Sequence, residues 1–260
     1  MRGAKTFRIV TRLGFAARGL VYALIGYLAL RSGRTEDPGG VLDYLASAAG
    51  RLLVAGMAAG FFAYAAWRLL EAWVDSEGHG SDRKGIGARL AGVGSGIVHF
   101  GFGILAVRLA GGGHDDGDSS KTAAATALDL PGGALLLYLA AAIFLGIAVA
   151  QLRKAWKLKF LRHLEPRAAA QAWIAWLGRL GYLARGVIFA LVAWLFLHAA
   201  QAHSSAAAGG IDDALGSLPR PLQIAVAAGV MLFGLFSLVE ARFRRIAAPD
   251  QMSRASLTPG

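Results

Sequence analysis

Apolar residues in this chain fall in long blocks separated by short polar stretches, with no period-two alternation. Charge-free runs cover 52–67, 90–107, 130–152, 186–211 and 222–239. About 18 or more apolar residues at 1.5 Å per residue cross a hydrocarbon core roughly 30 Å thick. Two runs, 130–152 and 186–211, exceed that length, and 90–107 and 222–239 just reach it. The run 52–67 is slightly short and borrows Arg51 and Arg68, whose aliphatic stems let the charged heads reach the interface. A sixth block, 13–30, is broken only by Arg18. The pattern predicts six transmembrane helices near 12–31, 50–70, 89–109, 131–152, 178–199 and 221–241, an all-α transmembrane fold. The leader "MRGAKTFRIVTR" could open a secretory signal, but no small-residue cleavage site precedes "LRSGRTEDPGG". The first block is therefore expected to be a helix of the mature protein.

The blocks repeat. "RLGFAARGLVY" from Arg12, "RLAGVGSGIVH" from Arg89 and "RLGYLARGVIF" from Arg179 align without gaps. Each is followed by a loop, a second apolar helix and a basic exit. The second helices align as "GFFAYAAWRLLEAW" from Gly60, "GIAVAQLRKAWKLK" from Gly146 and "GLFSLVEARFRRIA" from Gly234, which makes Arg68, Lys154 and Arg242 equivalent. The loops share a weaker cue in "LDYLASAAGRLL", "LDLPGGALLL" and "LGSLPRPLQI". Repeats of 10–75, 87–160 and 177–246 within one membrane domain of 1–260 account for the chain. A two-helix unit returns the chain to its starting side, so all three share one orientation. The expected assembly is a six-helix bundle of three parallel repeats, with a pseudo-threefold axis along the membrane normal. Glycines four apart in "GMAAG" (Gly56, Gly60) and "GVGSG" (Gly92, Gly96) predict close helix packing.

Charge orients the bundle. On this topology 21 of the 27 lysines and arginines lie on the side of both termini and of the loops near 80 and 160. The positive-inside rule makes that side cytoplasmic, in a bacterial inner membrane. With its acids, that face carries about +14 and the other about −3 of the net +11. A pI near 10.5 in a soluble protein would suggest nucleic acid. Basic residues beside membrane spans point instead to the bilayer, with anionic phospholipids as partners. Lys154, Lys157, Lys159 and Arg162 are the candidate headgroup contacts, in a basic interfacial segment over 154–177. Trp67, Trp73, Trp156, Trp173 and Trp176 fall near the cytoplasmic boundary, where indole prefers to sit.

Chemistry inside the membrane is sparse. Arg18 and Arg185 each follow a first arginine by six residues, roughly 9 Å deeper along the helix. Ionisable groups at such depth face a partner or a water-filled cavity. They line a basic vestibule, snorkel to headgroups or form ion pairs. Glu71 and Glu240 favour pairing, because the middle repeat lacks both the deep arginine and the acid. Arg18 with Glu71 is the expected pair, although the two acids are not strictly equivalent in the alignment. His99 replaces Tyr22 and Phe189, and either relays protons or hydrogen-bonds across a helix interface. His198 and His203 are badly spaced for a metal, and "GGGHDDGDSS" lacks the spacing of a calcium loop. There is no cysteine, so thiolate chemistry is excluded. No cofactor is implied.

The R-L-G-x-x-A-R-G opening, the tandem two-helix copies and the "FSLVEARFRR" ending resemble a bacterial family of integral membrane proteins, domain of unknown function 1206, over roughly 10–246. The resemblance implies a six-helix inner-membrane protein and brings no activity with it. The middle copy departs from the opening, with Gly94-Ser95 where the others read Ala-Arg. No paired carboxylates, H-E-x-x-H or serine–histidine arrangement is present, so an enzyme is not expected. A non-enzymatic protein that organises lipid or steadies a complex is the leading expectation. The alternative is a small-solute or ion transporter or channel along the pseudo-threefold axis. Mitochondrial carriers also have three two-helix repeats, but their odd-helix proline is missing here.

Overall fold

The computed structural model describes residues 2–33, 35–48, 50–75, 80, 82–114 and 119–246. The side chains of Arg2, Lys5 and Arg8, the acidic run 115–118 and Arg254 lie outside that description. Among the described residues there is no β-strand, and the α-helices are α1 (Arg2–Ser32), α2 (Pro38–Ala48), α3 (Arg51–Val74), α4 (Arg83–Ala110), α5 (Ser119–Leu128), α6 (Gly133–Lys157), α7 (Pro166–Ala169), α8 (Ala172–Ala202), α9 (Ile211–Gly216) and α10 (Arg220–Phe243). Six of them, α1, α3, α4, α6, α8 and α10, are long and apolar enough to cross a membrane. Each overlaps an expected span, α3 and α6 beginning one and two residues later than expected, and the chain is a multi-pass membrane protein. The short helices α2, α5 and α9 occupy the loops inside the repeats. Helix α8 absorbs "AWIAW", which the sequence suggested as an interfacial lead-in.

Local chemistry sets the helix ends. The Asp82 carboxylate accepts from the Gly85 N–H at 2.8 Å and caps the start of α4. Helices α3, α6 and α8 stop where Asp75, Leu158 and His203 take left-handed backbone (φ 54°, 50° and 48°), each N–H returning to a carbonyl four residues earlier.

The chain divides into two compact units. The first comprises Met1–Arg18, Leu42–His114 and Ser237–Gly260. In it α3 packs along α4, with Gly96 facing Leu69 and the Ala65 carbonyl and Gly92 facing Ala72. Gly60 lies against Leu13 and Gly14 of α1, whereas Gly56 faces open space. The "GMAAG" pair is therefore not a two-glycine packing strip, because only one of its glycines meets a neighbour. Phe15, Tyr64, Trp67 and Ile246 form a buried cluster, which takes Trp67 away from the boundary role expected of it. Trp73 and Trp156, at 83% and 84% exposed, remain free for that role.

The second unit comprises Gly19–Val41 and Asp115–Phe236. Here α6 packs along α8, with Gly186 against Leu152 and the Ala148 carbonyl. The second half of α1 meets α10 so closely that a methyl on Gly234 would stand 2.7 Å from the Gly19 carbonyl oxygen. Ala29, Leu215 and Ala227 form its small buried cluster.

These contacts share one register. Gly19, Gly96 and Gly186 occupy the same place in the three first helices. They meet Gly234, Ala65 and Ala148 respectively. Arg89 and Arg179, also equivalent, donate through Nε to the carbonyls of Ala72 (2.7 Å) and Ala155 (3.3 Å). In this register Glu71, Lys154 and Glu240 are equivalent, each followed by alanine. The gap-free alignment through Gly60, Gly146 and Gly234 is thus out of step, and Arg68, Lys154 and Arg242 are not equivalent. Runs of alanine, leucine and glycine offer few landmarks, whereas side-chain interlock tolerates no slip.

Candidate functional site

Arg18 emerges from α1 into the first unit's aromatic cluster. Its guanidinium donates to the Tyr64 hydroxyl at 2.8 Å and to Glu240 Oε2 at 2.6 Å. The other carboxylate oxygen of Glu240 accepts from Arg244 at 2.5 Å, one turn later on the same chain. The three side chains are 11%, 1% and 9% exposed, so the network is desolvated. Phe15 holds both cations against its ring, with Cζ of Arg18 at 4.9 Å and of Arg244 at 5.1 Å. The charge-assisted bonds to the carboxylate and the ring quadrupole both stabilise the two guanidiniums.

Glu71, 2% exposed, accepts from Arg68 at 3.0 Å, three residues back on its own helix. Of the two acids, the one expected to pair with Arg18 is thus hydrogen-bonded by Arg68, and Arg18 donates to the third repeat's acid. His99 joins this cluster from α4. Its ring lies 4.4 Å from that of Tyr64, and Nδ1 is 2.8 Å from the Ser95 carbonyl one turn back.

Arg185 belongs to the second unit and is held differently. Its Cζ lies over Phe233 (4.3 Å), Tyr22 (4.7 Å) and Phe189 (5.1 Å). Nε is buried without a hydrogen-bond partner.

The segment after α6 is anchored rather than draped. Phe160 packs on Tyr182 at 5.1 Å and Phe236 at 4.9 Å, and Leu164 is 1% exposed. Lys159 and Arg162 on this segment and Lys154 and Lys157 at the end of α6 are all exposed, beside exposed Trp156.

A shallow cleft of about 450 Å³ lies among Thr35, Trp194, His198 and Asp212. Burial pushes the Asp212 carboxyl above the usual carboxylate range, against the opposing backbone N–H of Asp213. Asp213 has Lys121 at 3.6 Å. No group of three or more potential metal ligands gathers among the described residues.

The sequence reading missed Tyr64, Arg244 and the rings around Arg185. The four-residue spacing of Glu240 and Arg244 was a legible signal. So was the aromatic character of Tyr22 and Phe189 at the position that carries His99.

Comparison with known proteins agrees with this architecture. The sequence profile described as Domain of Unknown Function (DUF1206) matches three times, at 13–75, 90–157 and 180–244. The matches begin at the equivalent residues Leu13, Leu90 and Leu180 and end shortly beyond Glu71, Lys154 and Glu240. The chain is similar to uncharacterized protein YxxB of Bacillus subtilis (strain 168), 29% identical over 248 residues that cover 90% of each chain. No solved structure matches it. With three copies of the profile spanning most of its length, the chain belongs to the Domain of Unknown Function (DUF1206) family.

Proposed function

We propose that this is a non-enzymatic protein of the bacterial cytoplasmic membrane, with both termini inside, that organises anionic lipid or steadies a partner complex. One observation carries the reading. Lys154 and Lys157 at the end of α6, and Lys159 and Arg162 on the following segment fixed by buried Phe160 and Leu164, all project outward. A fixed row of cations beside exposed tryptophan suits a headgroup layer, where each basic residue near the surface contributes about 1 kcal/mol. The register repeated among the three helix contacts supports, in the same reading, a pseudo-threefold axis along the membrane normal.

Two measurements test it. Replacing Lys157, Lys159 and Arg162 with glutamine should weaken retention of phosphatidylglycerol or cardiolipin in native mass spectra; unchanged retention would leave these charges merely solvated. Reporter fusions at residues 116 and 208 should behave as extracytoplasmic and fusions near 160 as cytoplasmic. The reverse pattern would overturn the orientation.

A further inference from the structure

The deep arginines of the first and third repeats hold the same position in their helices but keep opposite electrostatic company. Arg18 has Glu240. At the position equivalent to Glu240, the helix packed against α8 carries Lys154. The register that hands Arg18 a carboxylate therefore hands Arg185 a second cation. The local geometry agrees. Lys154 Nζ lies 5.7 Å from the Tyr182 ring centre, Tyr182 packs edge-on against Phe233 at 5.4 Å, and the Arg185 guanidinium lies 4.3 Å over Phe233. Two cations share one aromatic platform within the second unit.

Rings satisfy the faces of a guanidinium but cannot accept its in-plane N–H donors in good geometry. No described residue accepts a hydrogen bond from Arg185. A cation at this depth of a membrane-spanning helix is costly until an anion meets it. Guanidinium donors and a point-charge ammonium on adjoining rings of one platform match a phosphate, which is also the anion that a bilayer presents at its headgroup level. The geometry points to a phosphate-binding site formed by Arg185 and Lys154 on the platform of Tyr182 and Phe233, with Tyr22 and Phe189 as its further wall. The phosphate is that of an anionic lipid headgroup or a free phosphate ion. The site deepens the lipid-organising reading and rests on it, giving that reading a built pocket in addition to the exposed loop.

The test is anion-dependent thermal stabilisation of the full-length protein in a neutral detergent. Phosphatidylglycerol, cardiolipin and inorganic phosphate are titrated separately, with chloride at matched ionic strength as the control. Arg185→Gln should weaken the apparent affinity for the stabilising anion about tenfold or more, read as the anion-dependent shift relative to that variant's own anion-free melting temperature. Arg185→Lys should recover part of it. Stabilisation by lipid alone identifies a headgroup, and stabilisation by inorganic phosphate identifies a free ion; either supports the site if Arg185→Gln removes it. Should Arg185→Gln fail to fold, Lys154→Glu, on an exposed side chain, must show the same loss. An undiminished response in both variants, or no response of the native protein to any of the anions, overturns the site. If the loop variant Lys157→Gln/Lys159→Gln/Arg162→Gln loses lipid while Arg185→Gln does not, the lipid reading stands and this site falls.

Discussion

Glu240 is the residue on which most of the buried charge in the first unit depends. It takes Arg18 on one oxygen and Arg244 on the other at 1% side-chain exposure. Removing Glu240 strands desolvated cations, at a cost of about 3 kcal/mol or more, whereas removing Arg18 leaves Glu240 with Arg244 and costs less. Arg18→Ala and Glu240→Ala should each lower the melting temperature in detergent, and the double variant should recover part of the loss. Strict additivity would mean that the bond carries no coupling energy. The sequence made Arg18 and Glu240 visible as candidates but not as partners. That pairing joins residues 222 positions apart, and only the contact between α1 and α10 decides it. Asp212 offers a separate test outside the spans. Its carboxyl binds protons more tightly folded than unfolded, so its contribution favours the fold at low pH and is lost as pH rises from the ordinary range through its raised pKa. Asp212→Asn should flatten that acid-side dependence of melting temperature. An unchanged profile would show that burial does not govern this group.

At the scale of the helices, length and polarity were legible and register was not. Six apolar blocks predicted six spans, and the basic and glycine-rich openings of the first helices set the repeat. The second helices misled, since glycine at Gly60, Gly146 and Gly234 is a poor landmark in a run of small residues. The contacts choose Gly234, Ala65 and Ala148 as equivalents. Two leucine substitutions separate true interface glycines from incidental ones. Gly234→Leu forces a bulky side chain against the backbone of α1 and should destabilise by about 1–3 kcal/mol. Gly56→Leu points into open space and should be near neutral in the same melting assay. Equal losses would mean that the α1–α10 contact is looser than described.

For the whole molecule, the contact of α10 with α1 through Gly234 has a consequence for covalent order. The third repeat abuts the first in the register that α3 keeps with α4 and α6 keeps with α8. Those two contacts are between helices joined by a peptide loop, and this one is between helices at the two ends of the chain. Helix packing rather than chain connectivity then decides which helices are neighbours, so the position of the break is arbitrary. A circular permutant opened between Glu77 and Asp82, with a glycine–serine linker joining the old ends, should insert, purify as one species and melt within a few degrees of the native chain. Each of its spans would keep its original direction across the membrane, because every repeat still enters and leaves on the same side.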